Sequence, residues 1–557
     1  MLSGGEALFR GLAAARVRRA WSFPGAPLTR LELLLESKGG VAHRFCVNEH
    51  VAVSMALGGA LLAGNASCAL FQHVGCNVAL DALATFGMVS ELRSAALLVE
   101  GVDPEPKWSQ NAQDNRAALA SVAHLAQFEP SAPDEIYHFI RLSALASARS
   151  NMPVAVRVSA RGLDAKAELV EPPPELPSPG PSFARGGGPY VCTAASFRYH
   201  ADKRARRLAA LEPLLGALAS QSGADGAQAV ILAGPLGAVA QARAWSRRLP
   251  VLRLAASWPL PRQRLLDFLR ERESVLVLEE GEPFLERELA AFVHREGLTC
   301  RVRGAGGARP AVLDGDRIEA LLGRFGGRVR ADSDPEVRSP ADWSAAYQSA
   351  AALGSDDGEP WPLWFSRSRG ALAAFAPTDP RLTLLRALRG LERPTMIVAD
   401  PGSTGELGIR DRLIDVKMHM GSAAPIAGAL ADAVELEEQA GAGAPLAVAL
   451  IGDTNHYHSE LNAVIDNAIA RREVLHVLVV NRRSEMTAGA RTPYLPDEAL
   501  EAQLRSAGLH VATAMLDDPG LGAAVAYAAS RLGPRALVCY SPPPRDHRDP
   551  DPTDSDG

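Results

Sequence analysis

Leu446-Ala447-Val448-Ala449-Leu450-Ile451-Gly452-Asp453-Thr454 is the stretch on which the fold turns. Six apolar residues running into Gly-Asp read as a buried strand that ends in a turn. Glu460 to Arg472 (ELNAVIDNAIARR) then shows helical periodicity, and Val474 to Val480 is a second β-branched run, ending at Asn481-Arg482-Arg483. The order strand, turn, helix, strand predicts two parallel neighbours in an open sheet. Asp453 and Asn481 would both lie at carboxyl ends of strands, where such sheets bind ligands. An Asp carboxylate, an Asn amide oxygen and a backbone carbonyl, that of Arg483, are hard oxygen donors of the kind Mg2+ takes, with positions left for two diphosphate oxygens. A Gly-Asp turn is also ordinary turn chemistry and Asn481 can cap a loop, so the pattern alone leaves both readings open.

A chain of 557 residues exceeds one ordinary core and predicts three or four domains. Its 47% hydrophobic and 22% charged content is that of a soluble globular protein, and a net charge of −6 gives no reason to expect a nucleic-acid partner. The nearest approach to a membrane span, Val51 to Gly64, is too short and is broken by Ser54 and glycines. Arg10, Arg16, Arg18 and Arg19 give the start the look of a transit peptide, but Glu6 to Arg19 leads directly into Trp21-Ser22-Phe23-Pro24-Gly25 and reads as the first helix of a domain. The expected location is cytoplasmic. Six scattered cysteines, with no C-x-x-C pair, predict neither an internal iron-sulfur cluster nor a disulfide framework.

Composition marks the joints. Residues 1–170 carry an α/β pattern, with strands near Cys68 to Phe71, Ala95 to Val99 and Val154 to Val158. The Pro/Gly-rich 171–189 reads as a linker. Residues 190–302 repeat the alternation (strands Ala229 to Ala233, Val251 to Leu254 and Val275 to Leu278; helices Gly237 to Leu249 and Arg262 to Arg272) as a smaller Rossmann-like domain. Residues 303–358 read as a connector with a helix near Arg317 to Leu322, 359–540 as the domain of the opening stretch, and 541–557 as a disordered tail. Glu279-Glu280-Gly281-Glu282 reads as a domain-packing segment, and the arginines of Arg16 to Arg19 and Arg262 to Arg272 as solvated helix faces.

Several segments, taken in order, resemble the α subunit of indolepyruvate:ferredoxin oxidoreductases, of the thiamine diphosphate-dependent 2-oxoacid oxidoreductase superfamily. They are Phe23-Pro24-Gly25-Ala26-Pro27, Val47-Asn48-Glu49-His50, Gln72-His73-Val74-Gly75, Ser109-Gln110-Asn111, Glu129-Pro130-Ser131, Trp258-Pro259-Leu260-Pro261, Met420-Gly421-Ser422, Gly452-Asp453-Thr454, His458-Ser459, Asn481-Arg482 and Met486-Thr487. The resemblance runs over most of Leu2 to Tyr540. It implies an α/β, multidomain thiamine diphosphate-binding fold: doubly wound parallel-sheet domains for the pyrimidine and the diphosphate ends, with the Rossmann-like domain between them. The chain departs from the family where Trp364 to Arg369 replaces a Cys-rich segment, where no ferredoxin-like extension follows, and at Asn455-His456-Tyr457 and Glu460.

By resemblance, Glu49 would hydrogen-bond the cofactor pyrimidine, an acid whose apolar surroundings would raise its pKa. Read from position alone it is a first-turn helix acid after an Asn48 cap. Asp453, Asn481 and the Arg483 carbonyl would hold Mg2+. Pro24, Gly25, Gly421, Gly452 and Thr454 would line the cofactor, and Met420 and Met486 would pack on its rings or fill core. A helix opening near Glu460 would lend N–H groups to the diphosphate. His73 and His458 are candidates for substrate carboxylate contact or proton transfer, against ordinary interior or surface roles, and His456 reads as a solvent-facing loop residue. The implied activity is decarboxylation of a 2-oxo acid, an arylpyruvate such as indolepyruvate, and non-oxidative for want of a cluster. One alternative is an oxidoreductase subunit passing electrons to a γ-type or ferredoxin-like partner chain; another is a silent cofactor-binding scaffold. With Glu49 and Asp453 in different domains, a homodimer is expected.

Overall fold

The computed structural model describes residues 1–557 apart from 63–65, 90, 91, 93, 105–108, 110, 170–190, 193, 223–225, 235–248, 306–312, 327–342, 355–377, 439–444, 488 and 543–557. The expected linker, most of the helix beginning at Gly237, the Trp364 to Arg369 segment and nearly all of the tail lie outside the described residues. The chain forms two compact units, 1–184 with 193–362, and 185–192 with 363–557.

In the first unit a seven-stranded sheet has the order Ala256–Trp258, Ala126–Phe128, Val154–Ser159, Ala96–Val102, Ser67–Gln72, Arg19–Ser22, Ala42–Phe45. All pairs are parallel except the Ala256–Trp258 edge. The inner strands Ser67–Gln72 and Ala96–Val102 are buried along nearly their whole length, which is why they read as unbroken apolar runs. The first helix spans Gly4–Ala14 and starts earlier than its apolar pattern predicts, because Ser3 Oγ accepts the Glu6 N–H at 3.3 Å. It also stops earlier: Arg16 is left-handed at φ 56°, and Arg19 is a buried strand residue rather than part of a solvated face.

A second sheet in the same unit runs Arg301–Arg303, Ser274–Leu278, Gln228–Ala233, Val251–Leu254, Ser220–Ser222, parallel apart from the last pair. Directly after Leu254 the chain crosses into the seven-stranded sheet at Ala256. Buried Arg116 ties the two sheets further, donating to Glu279 at 2.7 Å and to the carbonyls of Glu280 (2.7 Å) and Glu282 (2.9 Å). The Glu279 to Glu282 segment thus packs as an acceptor set for Arg116, with Arg161 adding a bond to Glu280 at 3.3 Å.

The second unit holds six parallel strands in the order Val416–Lys417, Thr395–Ala399, Leu446–Gly452, Val474–Val480, Arg535–Tyr540, His510–Met515. After Gly452 no loop intervenes. Asp453–Asn455 is already helical, His456–Glu460 is a π turn, and Leu461–Ile469 continues as α-helix. The widened turn carries His456 and Glu460 inward, and both are fully buried. His456 is therefore interior, and the helix start lies at Asp453 rather than near Glu460. Among the described residues no helix is long and apolar enough to cross a membrane.

Candidate functional site

Each unit gathers part of the expected residue set at the carboxyl edge of its parallel sheet. In the first unit three neighbouring strands end close together: Arg19–Ser22 leads to Pro24-Gly25, Ala42–Phe45 to Glu49, and Ser67–Gln72 to His73-Val74-Gly75. Asn48 Oδ1 accepts the Val51 N–H at 2.9 Å and so starts the helix Glu49–Leu62. Glu49 is buried, and burial raises its pKa against the pull of its own backbone N–H. The glycine at 75 is required by this acid: a Cβ there would lie 2.5 Å from Glu49 Cγ. Gly25 is similarly close to Gln72, at 2.9 Å from a built Cβ to Gln72 Cβ.

His73 is fully buried. Its Nε2–H donates to the Asn111 carbonyl at 3.2 Å, which leaves Nδ1 as an acceptor with no hydrogen-bond partner among the described residues. Asn115 Nδ2 holds the His73 carbonyl (2.6 Å) and Glu100 (2.5 Å), while Arg157 donates to Glu100 (2.6 Å) and Glu129 (2.7 Å). The turn bearing His73 is thus pinned to a buried ionic network.

In the second unit Gly452 pairs with Val479 in parallel register, so Asp453 and Asn481 stand at adjacent strand ends. Asp453 is buried; its Oδ2 accepts the N–H groups of Asn481 (3.0 Å) and Arg482 (2.5 Å), and its Oδ1 that of Thr454 (2.8 Å). Burial raises its pKa, outweighing these three donors. Asn481 Oδ1 accepts the Arg483 N–H at 3.2 Å. A cleft with an empty volume of about 1030 Å3 opens here, and Met420, Gly452, Asp453, Thr454, Asn481, Arg483 and Met486 all line it. Gly421, at φ 86°, turns the chain away behind Met420. His458 is not among the lining residues; it is exposed, with Nδ1 2.9 Å from Ser459 Oγ.

Sequence reasoning missed the opposite wall. Asp400 follows the strand Thr395–Ala399, and Gly402 to Glu406 with Lys417 also line the cleft. The helix Ser403–Arg410 begins in the cleft, and Lys417 is ion-paired to Glu406. The signal was present in Met396-Ile397-Val398-Ala399-Asp400-Pro401-Gly402, a short apolar run into Asp and Gly like the one at Asp453. Among the described residues no group of three or more His, Cys, Asp or Glu is placed to hold a metal ion. The Asp453 edge instead offers one acid with an amide oxygen and backbone atoms.

No protein-family model matches the chain. It is 26% identical to the indolepyruvate oxidoreductase subunit IorA of Methanothermobacter marburgensis over 531 residues, covering 90% of this chain and 78% of that one. To the IorA subunit of Pyrococcus abyssi it is 25% identical, with 88% and 76% covered; to that of Archaeoglobus fulgidus it is 30% identical over 52% and 48%. Among solved structures it is similar to benzoylformate decarboxylase from Polynucleobacter necessarius, with TM-score 0.50, 14% identity, and 98% and 99% of the two chains covered. It is likewise similar to the thiamine diphosphate-dependent 4-hydroxybenzoylformate decarboxylase of Rhodococcus jostii, with TM-score 0.50, 15% identity, and 97% and 99% covered. The chain is similar along most of its length to the IorA subunit of indolepyruvate oxidoreductase and has the fold of thiamine diphosphate-dependent enzymes.

Proposed function

We propose that the chain is a thiamine diphosphate- and Mg2+-dependent enzyme that decarboxylates a 2-oxo acid, an arylpyruvate such as indolepyruvate, without net oxidation. The carrying observation is the buried Asp453 beside Asn481 at the floor of the cleft: its carboxyl is raised by burial although three N–H groups favour the charged form. A divalent cation would supply the missing positive charge. Asp453, Asn481 Oδ1 and the Arg483 carbonyl are the donors for it. Gly452 and Thr454 open the helical start that would meet diphosphate oxygens, with Met420 in the facing wall, Gly421 behind it, and Met486 also lining the cleft.

When bound, thiamine diphosphate supplies the carbon nucleophile and the electron sink for CO2 loss. Glu49, made reluctant to ionise by burial, holds a proton for the pyrimidine nitrogen, and Pro24-Gly25 gives the backbone approach beside it. His73, whose buried Nδ1 has no hydrogen-bond partner among the described residues, is one candidate for substrate carboxylate contact or proton transfer, and exposed His458 is the second. A homodimer is the proposed assembly.

The six thiols are dispersed over both units, and five of them are buried. The IorA relatives are named as subunits of an oxidoreductase, which favours a second reading in which a γ-type or ferredoxin-like partner chain takes electrons. Purified protein with thiamine diphosphate, Mg2+ and phenylpyruvate or indolepyruvate separates the two. CO2 release without an electron acceptor is the expected result; release only with a dye or partner supports the second reading, and no release with no cofactor retention returns the chain to a scaffold.

A further inference from the structure

Behind the cleft wall two acids converge on one donor. Asp400 follows the strand Thr395–Ala399 and lines the cleft, while Glu460 closes the π turn, fully buried. The N–H of Ala423, first residue of the 16-residue helix Ala423–Glu438, donates both to Asp400 Oδ1 at 3.1 Å and to Glu460 Oε1 at 2.6 Å. The Ser422 N–H adds a bond to Asp400 Oδ1 at 3.0 Å, and the Ala424 N–H reaches both Glu460 oxygens at 3.2 and 3.1 Å. Two carboxyl groups this close, and both buried, do not both ionise. One shared proton leaves a single negative charge, which faces the free N–H groups of the helix end.

We propose that Asp400 and Glu460 form a one-proton clasp on the first turn of this helix, making Glu460 a positioning residue that, through Gly421, fixes Met420 in the cleft wall. Burial raises both acids, Asp400 to about 6 and Glu460 well above its usual range, where the charge of Asp400 adds to burial. The chain leaves the clasp at Ser422 and passes through the left-handed Gly421 to Met420 in the cleft, so one residue separates the anchored Ser422 N–H from the lining side chain. The other ionisable groups on the surrounding elements are engaged or neutral. Lys417 pairs with Glu406, and Arg472 with Asp432 and Asp466. His419, on the Met420 loop, is buried and has a partner, and burial holds His456 and His476 neutral, with pKa values near 4. The inference rests on the proposed function only in naming the occupant of the cleft as thiamine diphosphate.

The experiment uses the full-length protein and two variants. Glu460→Gln keeps a carbonyl for the Ala423 and Ala424 N–H groups and donates an amide N–H to Asp400, so it should retain thiamine diphosphate and Mg2+ binding within about twofold of wild type. Glu460→Ala removes the acceptor and should weaken binding by about tenfold or more. Infrared difference spectra of the cofactor-free proteins at neutral pH, wild type minus Glu460→Gln, should show one protonated carboxyl lost. A lost carboxylate band instead, or cofactor binding by Glu460→Ala equal to wild type, overturns the clasp. Should Glu460→Ala fail to fold, the infrared difference and the Glu460→Gln titration decide alone. Wild type that binds no thiamine diphosphate would defeat the functional reading and remove the positioning role with it, while the infrared arm would still test proton sharing.

Discussion

Glu49 and Asp453 are both buried acids at the carboxyl edge of a parallel sheet, yet their surroundings differ in kind. Glu49 is given almost nothing: its own backbone N–H, the apolar start of a helix, and the bare backbone of Gly75 pressed against its side chain. Asp453 is given three backbone N–H groups from two adjacent strand ends, with an amide oxygen and a wide cleft beside it. An acid in the first setting is suited to keep a proton, and one in the second to hold a fixed position for a cation. The support nearest the two also differs: the His73 turn beside Glu49 is backed by ion pairs among side chains, Arg116 and Arg157 against Asp114, Glu100, Glu129 and Glu279, and Asp453 by backbone donors.

The largest way to break this contrast is to remove a member of the ionic network. Arg116→Ala leaves Asp114 and Glu279 without their shared partner and should cost the first unit about 3–5 kcal/mol. Calorimetric unfolding should show that transition falling while the transition of the second unit stays in place; a shift of both together would deny the units separate supports. Chelation of divalent ions should lower thiamine diphosphate affinity by about 100-fold, read by calorimetry, since without a cation the Asp453 carboxylate and the diphosphate oxygens face each other as like charges. Gly75→Ala should cost about 1–3 kcal/mol by overpacking against Glu49, lowering turnover while diphosphate binding persists; equal loss of both would mean that Gly75 does not act through Glu49.

The smallest effect concerns pH. Glu32, buried in the first unit, is raised from 4.5 to about 7, chiefly by burial. Its folded pKa lies above the unfolded one, so its contribution to stability is present below about pH 4.5 and is lost as pH rises through 7. Glu32→Gln should flatten the fall in melting temperature over that range; an unchanged pH profile would show that Glu32 ionises freely in the folded protein.

How legible the site was follows from which residues carry periodic neighbours. The pair Asp453 and Asn481 could be read because each follows a long apolar strand, Leu446–Gly452 and Val474–Val480. Asp400 escaped because the strand before it has only five residues and Asp-Pro-Gly passes for a plain turn. The inward placement of His456 and Glu460 depends on one π turn, and nothing in a polar run of His, Tyr, Ser and Glu distinguishes that from a loop. The sheet exchange after Leu254 is a tertiary event with no local signature. Glu49 was legible only through ordered resemblance, since a first-turn acid after Asn is common in any helix.

The two-acid account is tested most directly by measuring cofactor binding and CO2 release side by side for Glu49→Ala and Asp453→Ala. Glu49→Ala should bind thiamine diphosphate and Mg2+ within a few-fold of wild type and lose about 100-fold or more in CO2 release, while Asp453→Ala should fail to retain the cofactor at all. Retained binding in Asp453→Ala, or undiminished turnover in Glu49→Ala, would contradict the account.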